Sequence, residues 1–452
     1  MNVLLVAIDT LRADHLECYG YGRKTHPTLA KLAKQGVVFD NYFAPGIPTD
    51  PSYMSLFTGM DCVNHEVTNV RCPHQLSPKI LQLQQLLQAA GYYTAGVTSL
   101  PGHGEHFGRG WDRHELYPPP LMDASKRIKW HAERVNEKAF EVAAELPKDR
   151  PFLFFVHYWD PHTPYWPPEP HTRMFYDKPA GAETDPANQS MHAVYAFDGF
   201  RDAYKSWMGG ITDADYVNAL YDAEIHYNSV HLAKLFAKLK RLKLWDDTLV
   251  VVFSDHGEIL DEKPGQYDHH GLYEGNLHVP LIVRFPGEAH KGTRVDAMTA
   301  NVDVAPTILD ALGVDAPKQF EGSSLLPLVR GECDEQYEQI FLTEATWQCK
   351  HGVRTKEWKF IRALSTSPKD NWHGDGRREL YHLPSDPLEQ TNVVNVRPRV
   401  AKELERRLDE WLAAQKKKHG HDDPVKVRGT SLGRSKLAAA RNADLGSAEP
   451  IR

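Results

Sequence analysis

The sequence predicts an α/β fold in which a doubly wound, mostly parallel sheet carries helices on both faces. Short continuous apolar runs such as VLLVAI at residues 3–8 are typical of strands buried on both faces. Helix-like stretches separate these runs, and strands that alternate with helices predict a parallel sheet covered by helices. In sheets of this kind ligands bind at the carboxyl ends of the strands.

Four apolar runs are predicted strands, and polar residues follow each of them directly. VLLVAI ends at Asp9, YTAGV leads to Thr98 and Ser99, FLFFV leads to His157, Asp160 and His162, and LVVVF leads to Ser254, Asp255 and His256. The predicted helices between them are TLAKLAKQG, ILQLQQLLQAAG and YVNALYDAEIHYNSVHLAKLFAKLKRL. We therefore expect these polar side chains to meet at one edge of the sheet.

The 452 residues allow two or three domains at roughly 100–200 residues each. We expect the main α/β domain at 1–330, with an insertion at about 163–210 that is rich in Pro, Gly and aromatic residues. The strand-like segments QIFLTEA, KEWKFIRA and ELYHL and an amphipathic helix predict a small C-terminal α+β domain at 331–415. Residues 416–452 lack an apolar stripe, so we expect a tail or an oligomerisation arm, and hence a homo-oligomer.

The composition excludes several classes of protein. Hydrophobic residues make up 41% and charged residues 25%, as in ordinary globular proteins. A net charge of −7 offers no overall footprint for nucleic acid or an anionic membrane. No long apolar run or signal peptide is visible, and the five cysteines show no CxxC spacing. We therefore expect a cytoplasmic protein without nucleic-acid or membrane partners.

Asp9 and the pair Asp255 and His256 end two of the predicted strands. Two carboxylates and an imidazole at one sheet edge form a donor set that suits Zn²⁺, Mn²⁺ or Fe²⁺ better than an ion that prefers oxygen alone. The alternative is that the two aspartates cap the following helices or pair with Arg12. Two such strand ends with an adjacent histidine favour the metal.

The segment PTDPSYMSLFTG predicts a short helix that starts at Thr49 and ends at Gly59. A helix N-terminus binds anions. A threonine hydroxyl becomes a nucleophile when its alkoxide is stabilised, and a metal ion together with the helix dipole would do so. This segment alone favours the simpler interpretation, in which Thr49 only caps the helix.

Eight motifs in order resemble the sulfatase branch of the alkaline phosphatase superfamily, and they cover the chain to about residue 415. They are DTLRADHLECYG near the start, TxPSxxxLFTG at 49–59, HTPYWPP at 162–168, SDHGE at 254–258, YEGNLHVPLIV at 273–283, NVDVAPTILDALG at 301–313, EGSSLLP at 321–327 and ELYHLPSDPLEQTNVV at 379–394. The resemblance implies an alkaline phosphatase-like fold and metal-dependent hydrolysis of sulfate, phosphate or phosphonate esters through a covalent intermediate. It also implies that Asp9, Asp255 and His256 are metal ligands and that Thr49 is the metal-bound nucleophile.

The chain departs from the sulfatase pattern at several positions. Sulfatases carry Cys or Ser in C/S-x-P-S-R, which is oxidised to formylglycine, whereas Thr49 cannot form that aldehyde. Tyr53 replaces the arginine of this motif, and Ser99 and Pro101 replace the Lys and His of the GKWH segment. Thr10 replaces a second metal-binding Asp, which removes an oxygen ligand and argues against Ca²⁺. We therefore expect Zn²⁺ or Mn²⁺, with Fe²⁺ as an alternative.

Without those groups the site resembles phosphonate monoester hydrolases and phosphodiesterases more than arylsulfatases. The NHEVTN segment is similar to theirs and makes Asn69 a candidate donor to a non-bridging oxygen, although an ordinary turn asparagine is the alternative. We expect hydrolysis of a small anionic ester, either a phosphodiester or a phosphonate monoester. The alternatives are sulfate-ester hydrolysis without formylglycine and phosphoryl transfer.

Histidines complete the predicted site. His162 matches the family's substrate-side histidine and would bind the anion or protonate the leaving oxygen. Alternatively, Asp160 and His162 together hold a second metal. Either His269 or His270 falls near the residue that the family places against the leaving group, and the sequence does not choose between them.

The sequence also supports an interpretation of four further polar residues. Thr98, at the end of its strand, is a candidate substrate-binding residue. His157 is interpreted as an ordinary core or surface imidazole. Asp268 and Glu274 are interpreted as solvated loop charges.

Overall fold

The computed structural model describes residues 1–71, 74–116, 129, 131–196, 205, 207–263, 267–346, 348–364 and 378–430. The strands are β1 Asn2–Ile8, β2 Val37–Phe43, β3 Gly46–Ile47, β4 Tyr93–Thr98, β5 Arg113–Leu116, β6 Phe152–Tyr158, β7 Thr248–Phe253, β8 Leu281–Arg284, β9 Thr293–Ala300, β10 Gln339–Glu344, β11 Lys350–Thr355, β12 Trp358–Ala363 and β13 Arg378–His382. The helices are α1 Pro27–Ala33, α2 Thr49–Thr58, α3 Cys62–His65, α4 Leu83–Ala89, α5 Ala132–Glu145, α6 His192–Ala196, α7 Ala214–Arg241, α8 Glu274–Leu277, α9 Val304–Leu312, α10 Leu326–Val329, α11 Pro398–His419 and α12 Pro424–Arg428.

Eight strands form the main sheet in the order β5-β4-β6-β1-β7-β8-β2-β9. Every pairing is parallel except those of β8, which runs antiparallel to both β7 and β2. In the centre of the sheet, Ala7 of β1 pairs with His157 of β6 and with Phe253 of β7. This register places the residues that follow β1 and β7 side by side, at the carboxyl edge where the sequence predicts a site.

Helices cover both faces of this sheet, which confirms the predicted doubly wound α/β fold. Val3 and Leu5 of β1 pack in one cluster with α2, α4 and α9, whereas Leu4 and Val6 pack in a second cluster with α1, α5 and α7. Side chains alternate between the two faces of a strand, and each fully buried side chain of this size contributes about 1.5–3 kcal/mol. The apolar runs therefore hold the site-bearing strands rigidly between two helical layers.

A second sheet has the order β13-β12-β11-β10-β3 and is antiparallel except between β10 and β3. Its strands β10, β12 and β13 correspond to the three predicted C-terminal segments. Helix α11 buries Ala401, Leu404 and Leu408 against this sheet. Because β3 lies directly before α2, the second sheet is hydrogen-bonded to the segment that leads to Thr49. The domain boundaries stay a prediction.

The described part of the expected insertion packs on the main domain. Tyr165, Trp166 and Tyr176 are buried, and Tyr176 donates a 2.8 Å hydrogen bond to Asp213. Residues 197–204 and 206, at the end of the predicted insertion, lie outside the described residues. These aromatic side chains therefore contribute to the packing of this region against the main domain.

Ordered structure extends past residue 416, where the sequence predicts a tail. Helix α11 continues to His419 and ends at Gly420, whose φ of 76° is typical of a helix C-terminus. Helix α12 buries Val425 and places Arg428 against Glu66. Lysines in the last turn of α11 interact favourably with the negative end of the helix dipole. The lack of an apolar stripe in this segment therefore did not exclude a helix. Residues 431–452 lie outside the described part.

A helix that crosses a membrane must be both long and apolar, and the described helices do not meet this requirement.

Candidate metal centre

The structure brings the three predicted metal ligands together. Asp9 follows β1 and Asp255 follows β7, and one donor atom each from Asp9, Asp255 and His256 lies within 4.8 Å of the others. The Nε2 atom of His256 is 3.4 Å from Asp255 Oδ2 and 3.8 Å from Asp9 Oδ1. Arg12 pairs instead with Asp14 and Glu262. The alternative in which Arg12 neutralises these aspartates is therefore wrong.

The hydroxyl of Thr49 joins this group. Its Oγ1 lies 3.2 Å from His256 Nε2, and the residue is buried. Thr49 is the first residue of α2 and Pro48 is the N-cap, without a side-chain capping bond. The capping interpretation of Thr49 is therefore wrong. The N-terminus of the ten-residue α2 also directs its partial positive charge towards the place where an anion would bind.

The donor atoms fit a divalent cation. Asp9 Oδ1 and both carboxylate oxygens of Asp255 are buried and accept no hydrogen bond from the described residues. Buried carboxylates without partners are costly, and they are stabilised when they coordinate a metal. His256 Nδ1 lies 2.9 Å from the carbonyl of Gly257, so its proton is donated there and the Nε2 lone pair faces the carboxylates. This orientation is the one that a metal-binding imidazole requires.

The two carboxylates differ in their electrostatic surroundings. Burial, reinforced by the neighbouring Asp9 carboxylate, raises the pKa of Asp255 to about 6. Burial also acts to raise the pKa of Asp9, but the hydrogen bond from His157 and the charges of His162 and His256 outweigh it and hold that pKa well below its usual range. The pair therefore concentrates negative charge at one point.

His157 has a role at the site that the sequence interpretation missed. Its Nε2 lies 3.1 Å from Asp9 Oδ2, and its Nδ1 lies 3.1 Å from Thr98 Oγ1. A carboxylate only accepts hydrogen bonds, so His157 Nε2 donates to Asp9. In the neutral imidazole Nδ1 then accepts from the Thr98 hydroxyl, whose oxygen also accepts from the Leu100 amide. The interpretation of His157 as an ordinary imidazole was wrong, because the residue orients a metal ligand. A signal was available, since His157 lies near the carboxyl end of β6, the strand next to β1.

In this structure Thr98 therefore contacts the site through His157 and Asp9. Its predicted role in substrate binding stays a prediction. Asn69 is buried, its Nδ2 lies 3.5 Å from the carbonyl of Gly429, and its Oδ1 accepts no hydrogen bond from the described residues. The role of Asn69 as a donor to the anion also stays a prediction.

His162 lies beside the metal centre. Its Nδ1 is 2.6 Å from the carbonyl of Thr163, and its ring stacks on Trp159 with the ring centroids 4.4 Å apart. Burial lowers the pKa of His162 to about 3 despite the nearby charge of Asp9. The imidazole is therefore neutral in the free protein, and its Nε2 is an acceptor.

His269, rather than His270, lies next to the metal residues. Its ring centroid is 4.8 Å from that of His256 and 4.9 Å from that of His162. His270 Nε2 instead contacts Asp268 at 2.9 Å. Burial acts to lower the pKa of His269, but Asp268 and Glu258 outweigh it and raise that pKa to about 9.

Two acidic residues are not the solvated charges that the sequence suggested. Only 14% of the Asp268 side chain is exposed, and it contacts both His269 and His270. Glu274 pairs with Arg354 and Lys359. Both interpretations were wrong, because both side chains are largely shielded from solvent and form ion pairs.

Lys129 is a second residue that the sequence interpretation missed. Its buried ammonium donates to the carbonyl of His162 at 2.7 Å and to that of Pro164 at 3.1 Å, and it pairs with Glu224 and with Asp160. Asp160 also accepts hydrogen bonds from the Ala132 amide at 2.6 Å and from His131.

The carboxylate of Asp160 is thus fully engaged, and Lys129 already supplies a positive charge beside it. The alternative in which Asp160 and His162 hold a second metal is therefore not supported. No sequence pattern marks Lys129, because its partners lie far away in the chain.

Comparison with protein families gives two matches. The family model described as Sulfatase matches residues 1–314. A second model, described as the C-terminal part of N-sulphoglucosamine sulphohydrolase, matches residues 262–418. Together they cover nearly all of the chain that the eight sequence motifs span.

Individual relatives have low sequence identity to this chain, but the matches extend over most of the length of both proteins. An N-acetylglucosamine-6-O-sulfatase of Bacteroides thetaiotaomicron is 24% identical over 94% of this chain and 87% of its own. The multifunctional alkaline phosphatase superfamily protein PehA of Trinickia caryophylli is 26% identical over 73% of this chain and 77% of its own. Most of the matched relatives are named as sulfatases.

Among solved structures, the phosphonate monoester hydrolase of Agrobacterium radiobacter superposes with a TM-score of 0.71. It is 22% identical and covers 92% of this chain and 96% of its own. At this identity the superposition establishes the fold.

Proposed function

The chain belongs to the sulfatase family of hydrolases, within the alkaline phosphatase superfamily, and on that premise we propose that it hydrolyses phosphodiesters or phosphonate monoesters with Thr49 as nucleophile. The observation that carries this proposal is the position of the Thr49 hydroxyl, 3.2 Å from His256 Nε2 at the candidate metal centre. The substrate would be a small anionic ester whose phosphorus atom is placed for in-line attack by this hydroxyl.

Threonine supports phosphorus chemistry over sulfate chemistry. The formylglycine mechanism needs a Cys or Ser at this position, and position 49 has neither. A threonine alkoxide can still attack phosphorus and form a phosphothreonine, which water then hydrolyses. The relative PehA and the superposed phosphonate monoester hydrolase are consistent with this choice.

The proposed ion is Zn²⁺ or Mn²⁺, with Fe²⁺ as an alternative. Members of the family generally bind a divalent metal, usually Ca²⁺. Here His256 adds an imidazole nitrogen to the donor set, and Thr10 stands where the family has a further aspartate, which favours ions that accept nitrogen ligands. When bound, such an ion polarises the ester and stabilises the negative charge of the transition state.

Each residue then has a defined task. Asp9, Asp255 and His256 hold the ion, and His157 orients Asp9 through its 3.1 Å hydrogen bond. Thr49 forms the new bond to phosphorus while the bond to the leaving oxygen breaks. Positioning and fixed electrostatics supply most of the rate enhancement.

His162 and His269 lie next to each other beside His256. We assign them to the departure of the leaving oxygen. In the free protein the neutral His162 offers an acceptor atom, so its contribution is to bind a protonated oxygen or a water molecule.

The test compares esters that share a p-nitrophenol leaving group: bis(p-nitrophenyl) phosphate, p-nitrophenyl phenylphosphonate and p-nitrophenyl sulfate. We expect kcat/KM to be highest for the diester or the phosphonate. Thr49→Ala should lower turnover at least about 10³-fold without unfolding the protein. Thr28→Ala, at the start of α1, serves as the matched control and should retain full activity. A higher kcat/KM for the sulfate, or substantial activity of Thr49→Ala, would refute the proposal.

A further inference from the structure

One buried carboxylate ties two cationic residues to the start of α2. Asp50 is the second residue of α2, directly after Thr49, and it is fully buried. Its Oδ1 accepts a 2.6 Å hydrogen bond from His103 Nδ1, and its Oδ2 accepts a 2.6 Å hydrogen bond from the Arg71 amide. Asp50 therefore holds two separate segments of the chain beside the nucleophile of the proposed reaction.

We propose that His103 and Arg71 bind a second anionic group of the substrate, on the substituent that phosphorus retains when the leaving oxygen departs. This inference rests on the proposed function and narrows its substrate class. The substrate is then a phosphonate monoester or a phosphodiester whose retained substituent carries a carboxylate or a phosphate.

The imidazole of His103 offers a hydrogen-bond donor to a ligand. Its side chain is only 8% exposed, and Nδ1 is occupied by the bond to Asp50. Nε2, on the opposite side of the ring, has no hydrogen-bond partner among the described residues. Burial acts to lower the pKa of His103, but the charge and the hydrogen bond of Asp50 outweigh it and raise that pKa. The protonated ring is therefore favoured, and its Nε2–H is an unpartnered cationic donor in a nearly buried position.

The guanidinium of Arg71 supplies a second positive charge. The residue is exposed, and it forms no ion pair within the part of the chain that the structure describes. Its φ of 51° lies in the left-handed region, which is uncommon for residues other than glycine, and the hydrogen bond from its amide to Asp50 holds this conformation. The charge of Arg71 acts to lower the pKa of His103, so the two cations lie within electrostatic range of each other.

The charges of this group do not cancel. Asp50 contributes one negative charge, whereas His103 and Arg71 contribute two positive charges, so one net positive charge remains. The N-terminus of α2 adds its partial positive charge at the same place. Two like charges held near each other are unfavourable, and an anion bound to both removes the repulsion. Because arginine and imidazolium pair with carboxylate or phosphate through charge-assisted hydrogen bonds, the group selects an anion.

The position of the two cations assigns them to the retained substituent. The charge of Asp9 acts on His103, so this imidazole lies beside the metal centre. The two histidines that we assign to the leaving oxygen contact each other and His256. His103 is instead bonded to the start of α2. In the proposed reaction the phosphoryl group itself faces the metal ligands and Thr49, so a pair of cations at a different side meets a different part of the substrate.

The experiment compares two esters that have the same leaving group and nearly the same shape. They are p-nitrophenyl 2-carboxyethylphosphonate and its carboxamide analogue, p-nitrophenyl 2-carbamoylethylphosphonate, which lacks the second negative charge. The full chain is assayed with added Zn²⁺ by the release of p-nitrophenolate, and the readout is the ratio of the two kcat/KM values. We expect kcat/KM of the wild-type protein to be about tenfold higher for the carboxylate ester.

Arg71→Gln and His103→Gln should each lower this ratio at least about threefold. Because the ratio compares two substrates on the same variant, a general loss of folded protein does not change it. Arg71 is exposed, so its substitution tests the proposal even if His103→Gln does not fold. Arg71→Lys should recover part of the preference, since it restores the charge without the planar fork of the guanidinium.

Arg330→Gln is the matched control, because Arg330 is also an exposed arginine and its ion pair is with Glu332 at 3.9 Å. It should keep the wild-type activity and the wild-type ratio. A wild-type ratio near one, or a ratio that Arg71→Gln leaves unchanged, would overturn the inference while the proposed hydrolysis stands. Equal losses on both esters would place the two cations at the reacting phosphoryl group and would also overturn it. No turnover of either ester by the wild-type protein would refute the proposed function together with this inference.

Discussion

Two buried groups of acidic and histidine side chains differ in one respect. One of them contains a positively charged lysine side chain, and the other does not. In the group of His131, Asp160 and Glu224, the ammonium of Lys129 lies among the carboxylates. In the group of Asp9, Asp255 and His256, the described residues place no lysine or arginine against the two aspartates. Similar side chains therefore form a complete ion cluster in one place and an uncompensated one in the other.

The hydrogen bonds show the same contrast. Asp160 accepts from Ala132 and His131, and Glu224 accepts from Trp166 and Lys129, so each of their four carboxylate oxygens has a partner. Three oxygens of Asp9 and Asp255 have none among the described residues. A complete cluster contributes to stability, whereas an incomplete one costs stability and is retained where a ligand binds.

The sharpest test of this contrast is Asp255→Asn. It removes a proposed metal ligand, so turnover should fall at least about 10⁴-fold. It also removes one of two neighbouring buried negative charges, so the metal-free protein should become more stable by about 1–2 kcal/mol. Steady-state kinetics and urea unfolding in the presence of a chelator measure the two effects. Loss of stability in the metal-free state would contradict the comparison.

Lys129→Met should act in the opposite direction on stability. The substitution leaves Asp160 and Glu224 buried without their cation, and breaking such a pair costs about 3–5 kcal/mol. It also frees the carbonyls of His162 and Pro164, so kcat should fall as His162 becomes less well positioned. Urea unfolding measures the loss, and Lys129→Arg should recover part of it. If Lys129→Met left the free energy of unfolding unchanged, Lys129 would not compensate the charges of Asp160 and Glu224.

Smaller effects are expected for the hydrogen-bond chain that reaches Asp9. His157→Phe removes the group that orients Asp9, so the affinity for Zn²⁺ should fall about 10–100-fold. Thr98→Val removes a single neutral hydrogen bond to His157, worth about 1 kcal/mol, so the affinity should fall only about fivefold. Competition with a zinc-binding dye measures both. Equal losses in the two variants would argue that Thr98 contacts the bound groups directly.

The parts of the site that the sequence predicts are the residues that come directly after the strands. Apolar runs identified β1 and β7, and parallel packing forces the residues after them to the same edge, so Asp9, Asp255 and His256 could be grouped without coordinates. The position of Thr49 followed from its match to a family motif. The local segment alone pointed to a helix cap, because propensity does not report on a partner more than 200 residues away.

The roles of His157 and Lys129 could be recognised only in the folded chain. His157 lies near the end of a third central strand, but only the pairing of β6 with β1 and the contact of its side chain show that it faces Asp9. The role of Lys129 depends on its burial, since a lysine in solvent would be an ordinary surface charge. Local sequence thus specified the elements and the chemistry available at the sheet edge. The tertiary structure alone decided which charges are compensated, because compensation depends on distance and exclusion of water, and neither is a property of a sequence segment.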